Sequence, residues 1–243
     1  KKLGTNENFT LNNLAEIDNE KKYVGKIYQL VKKILAELDV ESNEYDNNDF
    51  TVKYVYDKWI LNKLNELTKN MNISLQNKDF SKAVESLNDF WLDDLDRSYF
   101  NIIKNKLLSL PEGDLDRVNS KKILYYICET TLRLYYPLAP FISEELWQRL
   151  TNNGSISIGL QSFPKAYYQF EHVESFEKLL DLSAFVDKFI NCYGNIKNGE
   201  LIIKIQEHSD LFDMVHENSK IILDLNKKLS TVLLADYKSQ IMN

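Results

Sequence analysis

The chain has 243 residues, 44% hydrophobic, 12% aromatic and 27% charged, and its 30 basic and 36 acidic side chains give a formal net charge of −6. So much apolar material builds a core and excludes a disordered tail, while seven glycines and four prolines are few for an all-β sandwich or a glycine-looped nucleotide fold. Overall charge gives no argument for nucleic-acid binding, which would have to come from a local patch.

Val24, Ile27, Val31, Ile34, Leu35 and Leu38 recur at three- and four-residue spacing and predict an amphipathic helix from about Glu20 to Leu38. The polar run Val40–Phe50 reads as a loop. A second helix is predicted from about Tyr54 to Leu75, with Trp59, Ile60, Leu64, Leu67, Met71 and Leu75 in phase. Asn77-Lys78-Asp79 interrupts it, and Asp79 can cap a third helix carrying Phe80, Val84, Leu87, Phe90, Trp91, Leu95, Tyr99, Ile102 and Ile103. Pro111 and Gly113 end that helix, and a fourth spans about Leu115 to Tyr136.

Pro137 and Pro140 then force a break. Ser143, followed by Glu144 and Glu145, predicts the next helix start, the serine as cap and the carboxylates against the positive end of the dipole. Another helix is expected from about Ser175 to Tyr193. Beyond Asn198-Gly199 the pattern changes: Glu200–Gln206 and Thr231–Leu234 are β-rich and flank a helical stretch, about Asp210–Leu229. The expected fold is mainly α, an antiparallel helix bundle over residues 1–197 followed by a small α/β subdomain over 198–243.

No catalytic constellation stands out. His172, His208 and His216 lack metal-ligand spacing, and there is no phosphate-cradling glycine loop, G-x-S-x-G or H-E-x-x-H. The consecutive Asp93 and Asp94 point in different directions on a helix and read as a solvated face. Cys128 and Cys192 have no C-x-x-C partner, no apolar run reaches spanning length and KKLGTNENFT carries no signal segment, so a cytoplasmic, reducing setting without membrane is expected.

The local patch lies at Lys21–Lys33, which holds five lysines (21, 22, 26, 32 and 33) and no carboxylate. Lys22, Lys26, Gln29 and Lys33 share one helical face, with Tyr23 at its edge. A basic stripe beside an aromatic can track a phosphate backbone while the ring stacks on an unpaired base. A solvated helix face is the bland alternative. Arg117, Lys121 and Lys122 make a weaker second patch.

Tyr135-Tyr136-Pro137-Leu138-Ala139-Pro140-Phe141-Ile142-Ser143-Glu144-Glu145-Leu146-Trp147-Gln148-Arg149-Leu150 resembles the His-Pro-Phe-Met-Pro-Phe-[Ile/Val]-[Thr/Ser]-Glu-Glu-[Leu/Met]-Trp-Gln-Arg-Leu signature of valyl-tRNA synthetases. In family order, Lys26-Ile27-Tyr28-Gln29 is similar to the N-K-[L/I]-[W/Y]-N helix and Asp57-Lys58-Trp59-Ile60-Leu61 to the D/E-[R/K]-W-I-[L/M] start. Phe90-Trp91 through Arg97-Ser98-Tyr99 to Lys104 resembles W-x4-C-D-x-Y-x4-K, and Tyr193–Gly199 the E-Y-N-I-x-x-G turn of the eukaryotic cytosolic branch. The departures are Tyr136 for His, Leu95 for the Cys of Cys-Asp, and Gly25 for the first Asn.

The resemblance implies an anticodon-binding helical domain that follows a catalytic domain carrying the H-I-G-H and K-M-S-K-S motifs, neither of which is in this chain. The expected role is to position tRNA(Val) for valylation, with ATP and Mg in that catalytic domain of the same polypeptide, and no DNA partner. The resemblance implies that Tyr23 stacks on an anticodon base, that Lys22 and Lys26 hold phosphates or base edges, and that Gln29 adds specificity. It leaves Lys104 as an RNA contact or a salt bridge to a core carboxylate. Lys33, Arg117, Lys121 and Lys122 complete the candidate RNA-binding set. Trp59, Phe90, Trp91, Tyr99, Phe141 and Trp147 are expected in the core. A protein-interaction module and a free-standing tRNA-binding paralogue remain the alternatives.

Overall fold

Seven buried residues, Ala83, Leu87, Trp91, Leu95, Tyr99, Ile103 and Leu107, stand four apart along one helical segment of the computed structural model. On a pure α-helix each four-residue step advances about 40° around the axis, so this stripe would wind over to the far side. The chain corrects the drift. Helix α3 (Phe80–Asp89) runs into a π-helix (Phe90–Phe100) and then into α4 (Asn101–Ser109), and the wider π turn rotates the stripe back. The sequence pattern had suggested a single α-helix here.

The structure describes residues 11–38, 49–152, 156–171, 173–192, 199–205 and 210–236; within these, side chains of the first helix are described from 23 onward, and those beyond 192 at 201–203 and 212–233. Most of the expected 40–50 loop and the 193–198 part of the expected turn lie outside the described residues. The remaining helices are α1 (Leu11–Leu38), α2 (Val55–Gln76), α5 (Leu115–Tyr135), α6 (Pro140–Leu150), α7 (Glu174–Cys192) and α8 (Asp210–Leu225). The fold is mainly α, as expected.

Helix α5 is apolar around most of its circumference, with Ile123, Leu124, Ile127, Cys128, Leu132 and Leu134 fully buried. Such a helix belongs in the middle, and α1, α2, α4 and α6 all pack against it. Its first turn is capped by Asp114, which accepts from the amides of Asp116 and Arg117 at 2.9 and 3.2 Å. Asp79 caps α3 as expected, accepting from the Lys82 amide at 3.1 Å.

Helix α6 departs from expectation. It starts at Pro140, three residues before Ser143, because proline is preorganised for a first turn and needs no amide partner there. Ser143 is therefore inside the helix, its hydroxyl donating to the Ala139 carbonyl at 2.8 Å. Glu144 instead accepts from Ser157 Oγ at 2.8 Å and the Ile158 amide at 3.1 Å, fastening the following loop, while Glu145 holds Arg149 at 2.6 Å. Phe141, expected in the core, falls on the outer side of this earlier first turn and is 91% exposed. Asp94 is also corrected: it is half-buried, and burial pushes its carboxyl up to about 7, whereas Asp93 is exposed and pairs with Arg97 at 2.7 Å.

At the C-terminal end β1 (Gly199–Ile205) and β2 (Leu229–Asp236) pair in parallel, Ile202 opposite Leu233, with α8 as the crossover between them. Asn226 donates to Ser183 Oγ of α7 at 2.6 Å, and Asn105 of α4 donates to Asp224 at 2.5 Å. The unit is thereby docked on the bundle.

Two aromatic replacements are expected to separate core from surface. Trp91→Ala should cost about 3–5 kcal/mol, and Phe141→Ala should stay within about 0.5 kcal/mol, both read by urea unfolding. Equal losses would refute this assignment.

Candidate nucleic-acid interface

Helix α1 buries Ile27, Leu30, Val31, Ile34 and Leu38 against α5 and α6. Val24, counted in this stripe from sequence, is 36% exposed, so the buried stretch begins at Ile27. Opposite the stripe, Gly25, Gln29, Lys32 and Ala36 follow at i, i+4, i+7 and i+11 and form an exposed crest. Tyr23 is 39% exposed, with Lys26 Nζ 5.4 Å from its ring centroid. Tyr28, half-buried, carries Lys32 Nζ at 5.8 Å. On that side Arg149 of α6 is held charged by its hydrogen bond to Glu145 and, second, by the nearby Tyr28.

The expected residues separate on this surface. Lys26 and Gln29 are exposed, and Lys26 has no carboxylate partner among the described residues. The Lys22 side chain lies outside the described residues. Lys33 is committed to the π-helix: its Nζ bonds Asp96 Oδ1 at 2.9 Å and lies 4.4 Å over the Phe100 ring. Lys32 and Tyr28 were not singled out from sequence. A wheel centred on Ile27 and Ile34 would have found them, because it puts the outward direction at Gln29 and Lys32.

The second patch is not a free basic surface. Lys121 is only 9% exposed, so it is corrected from a candidate contact to a buried residue of α5. Arg117 turns inward, its Nη1 donating to the Leu110 carbonyl at 2.9 Å. Lys122 and Lys104 are half-buried, and no carboxylate pairs with either among the described residues, so the salt-bridge reading of Lys104 gains no partner.

Beside them lies a cluster the sequence pattern did not reveal. Tyr54 and Tyr56 stack at 5.0 Å, Lys106 Nζ sits 3.8 Å over the Tyr54 ring and donates to the Tyr56 hydroxyl at 2.8 Å. Asp116 accepts from Tyr54 Oη at 2.5 Å and from Lys53 at 3.3 Å. Beneath it the fully buried Asp57 accepts from Tyr99 Oη at 2.9 Å through one oxygen, and its other oxygen has no side-chain partner among the described residues. Burial pushes the Asp57 carboxyl up to about 6, against the opposing pulls of the Tyr99 hydrogen bond and the Lys106 charge. Lys106 is itself lowered by burial.

A cavity of about 180 Å³ between α2, α3 and the π-helix is lined by Lys63, Glu66, Asn70, Ser86, Asp89 and Asp94, among others. Nucleotide-sized ligands need about 300 Å³ or more, and three carboxylates would repel a triphosphate. ATP does not fit these residues.

Residues 57–229 match the family described as the anticodon-binding domain of tRNA ligase. The chain belongs to that family. Among its relatives are the mitochondrial valine–tRNA ligase of Saccharomyces cerevisiae, 27% identical over 240 residues (94% of this chain, 21% of the relative), and the valine–tRNA ligase of Bacillus cereus, 25% identical over 214 residues (86% and 24%). The Listeria innocua valine–tRNA ligase is 30% identical over 155 residues (63% and 17%). The chain thus spans about a quarter or less of the length of these relatives. Helix α1 precedes the family match, but the yeast similarity takes in most of it, since 94% of 243 residues leaves only about 15 uncovered.

In this domain, raising the pH from 4 to 7 is expected to weaken folding through Asp57. The unfolded carboxyl ionises near its ordinary value of 3.8 while the folded one keeps its proton to about 6, so the native state binds more protons in that window and stability falls as pH rises. The full effect is about 3 kcal/mol. Asp57→Asn, which keeps an acceptor for Tyr99, should shrink the difference in urea midpoint between pH 4 and pH 7, the remainder coming from Asp94, whose carboxyl burial pushes up to about 7; an unchanged difference would refute the assignment.

Proposed function

We propose that this chain is the anticodon-binding part of a valine–tRNA ligase and that the exposed face of α1 holds tRNA(Val). A catalytic domain of the same polypeptide, binding ATP and Mg, would carry out the valylation. The observation that carries this reading is the exposed surface of α1: in a chain with net charge −6, Gln29 and Lys32 stand on the crest, Lys26 is exposed beside it, and the two lysines lie over the rings of Tyr28 and Tyr23. The membership of the anticodon-binding family supports an RNA partner, and the names of the relatives support valine as the amino acid. The chain's coverage of 21% and 24% of two relatives agrees with a role as one part of a larger ligase.

The roles follow from chemistry. Tyr23 offers a ring for an unpaired base, and the lysine over it can swing to a phosphate when the base arrives. Lys22, Lys26 and Lys32 supply charge to the backbone, and Gln29 both donates and accepts toward a base edge. Lys33, engaged with Asp96, contributes by fixing the helix.

Replacing Lys22 and Lys26 together by Ala should change folding stability by no more than about 0.5 kcal/mol per site. The same change should weaken tRNA(Val) binding and reduce the slope of log affinity against log salt by about 0.7 to 0.9 for each phosphate no longer neutralised. Tyr23→Ala should cost about 1–3 kcal/mol of binding with the slope unchanged, because stacking releases no counterion. Filter binding over a salt series reads both. Wild-type affinity for tRNA in all of these variants would contradict the reading.

A further inference from the structure

Apolar contact has no preferred direction. The buried stripe of α1 therefore decides which side of the helix faces the bundle, but it resists a small roll about the helix axis only weakly. A charge-assisted hydrogen bond is directional and opposes that roll. Among the described residues, one side-chain hydrogen bond ties α1 to another element, that of Lys33 Nζ to Asp96 Oδ1 at 2.9 Å.

The anchor of this bond is firmly placed. Asp96 and Phe100 stand about one turn apart on the π-helix, and Lys33 Nζ lies 4.4 Å over the Phe100 ring. Phe100 is fully buried, as are Trp91, Leu95 and Tyr99 of the same segment, so the core holds the point to which Lys33 is fastened. On α1, Lys26, Gln29 and Lys33 follow at i, i+3 and i+7 and share a flank. Fixing Lys33 thus fixes the directions of Lys26 and Gln29.

Asp96 puts a carboxylate beside this basic helix, where electrostatics alone would set it against a phosphate. We propose, resting on the RNA-binding reading above, that Asp96 instead favours RNA: it is a positioning residue that, through Lys33, holds α1 at the roll that presents Lys26 and Gln29 to the strand. Lys33 keeps its charge for the protein and touches no phosphate. The pair is 42% and 39% exposed, and pairs so exposed add little to folding. Its removal therefore tests placement rather than stability.

The test uses the 243-residue chain and the anticodon stem-loop of tRNA(Val), with affinity read over a salt series. Asp96→Asn removes a negative charge, yet it should bind at least about threefold more weakly, with salt slope and melting temperature close to wild type. Asp96→Glu, which keeps the carboxylate, should recover most of the loss. Lys33→Met should match Asp96→Asn, and the double variant should be no weaker than either, because both remove the same contact. Asp93→Asn removes an equal charge from the same π-helix, on a side chain paired with Arg97, and should not weaken binding. Affinity at or above wild type in Asp96→Asn would overturn the proposal. So would a slope lowered in Lys33→Met by about 0.7 to 0.9, the mark of a lost phosphate contact. Either result leaves the RNA face in place, whereas absence of salt-dependent stem-loop binding by the wild-type chain would overturn the underlying reading as well.

Discussion

The apolar stripe of α1 is the constraint on which the proposed RNA face depends. Ile27, Leu30, Val31, Ile34 and Leu38 can be buried on one side only if the opposite side faces water, and burying each such side chain stabilises by about 1.5–3 kcal/mol. The stripe therefore fixes the rotation of the helix, and with it the outward direction of Gly25, Gln29, Lys32 and Ala36. Lys33 adds a second restraint, since its ion pair to Asp96 and its place over Phe100 tie the helix to the π segment. That segment has its own reason: only a turn wider than α keeps the four-residue stripe from Ala83 to Leu107 on one side.

Charge is distributed unevenly over this frame. Near the start of α5 the cations are engaged with the protein itself. Lys53 pairs with Asp116, Lys106 lies over Tyr54, Arg117 holds a carbonyl and Lys121 is buried. Helix α1 differs because Lys21 to Ala36 contains no carboxylate at all, so Lys26 and Lys32 find only aromatic rings on their own helix. A cation over a tyrosine is held more weakly than one in a buried ion pair and exchanges readily for a phosphate. An acidic protein can in this way present a basic face to RNA without basic overall composition.

Much of the fold is legible in the sequence because its helices are amphipathic and punctuated: Asp79 marks a helix start, and the paired stretches Glu200–Ile203 and Thr231–Leu234 fall within the two β-rich runs. A 3.6-residue period does not reveal the π-helix; the run of exact fours from Ala83 to Leu107 does. Ser143 reads as a cap although Pro140 starts the helix, and Phe141 reads as core from its apolar surroundings although that earlier start turns it outward. The exposure of Lys26 and Gln29 is legible from helical spacing, whereas Tyr23, four residues before Ile27, is exposed because the buried stretch begins only at Ile27. Lys33 and Lys121 could not be assigned from sequence, since their partners and burial come from the π-helix and from the packing of α5.

The sharpest discrimination comes from a short photo-crosslinker placed at Gln29, on the crest of α1, with its products mapped on tRNA(Val). If the α1 crest holds the RNA, crosslinks are confined to the anticodon loop and suppressed by added salt. Crosslinks in the acceptor stem, or a yield no greater than from the same group at the exposed Phe141, would contradict it.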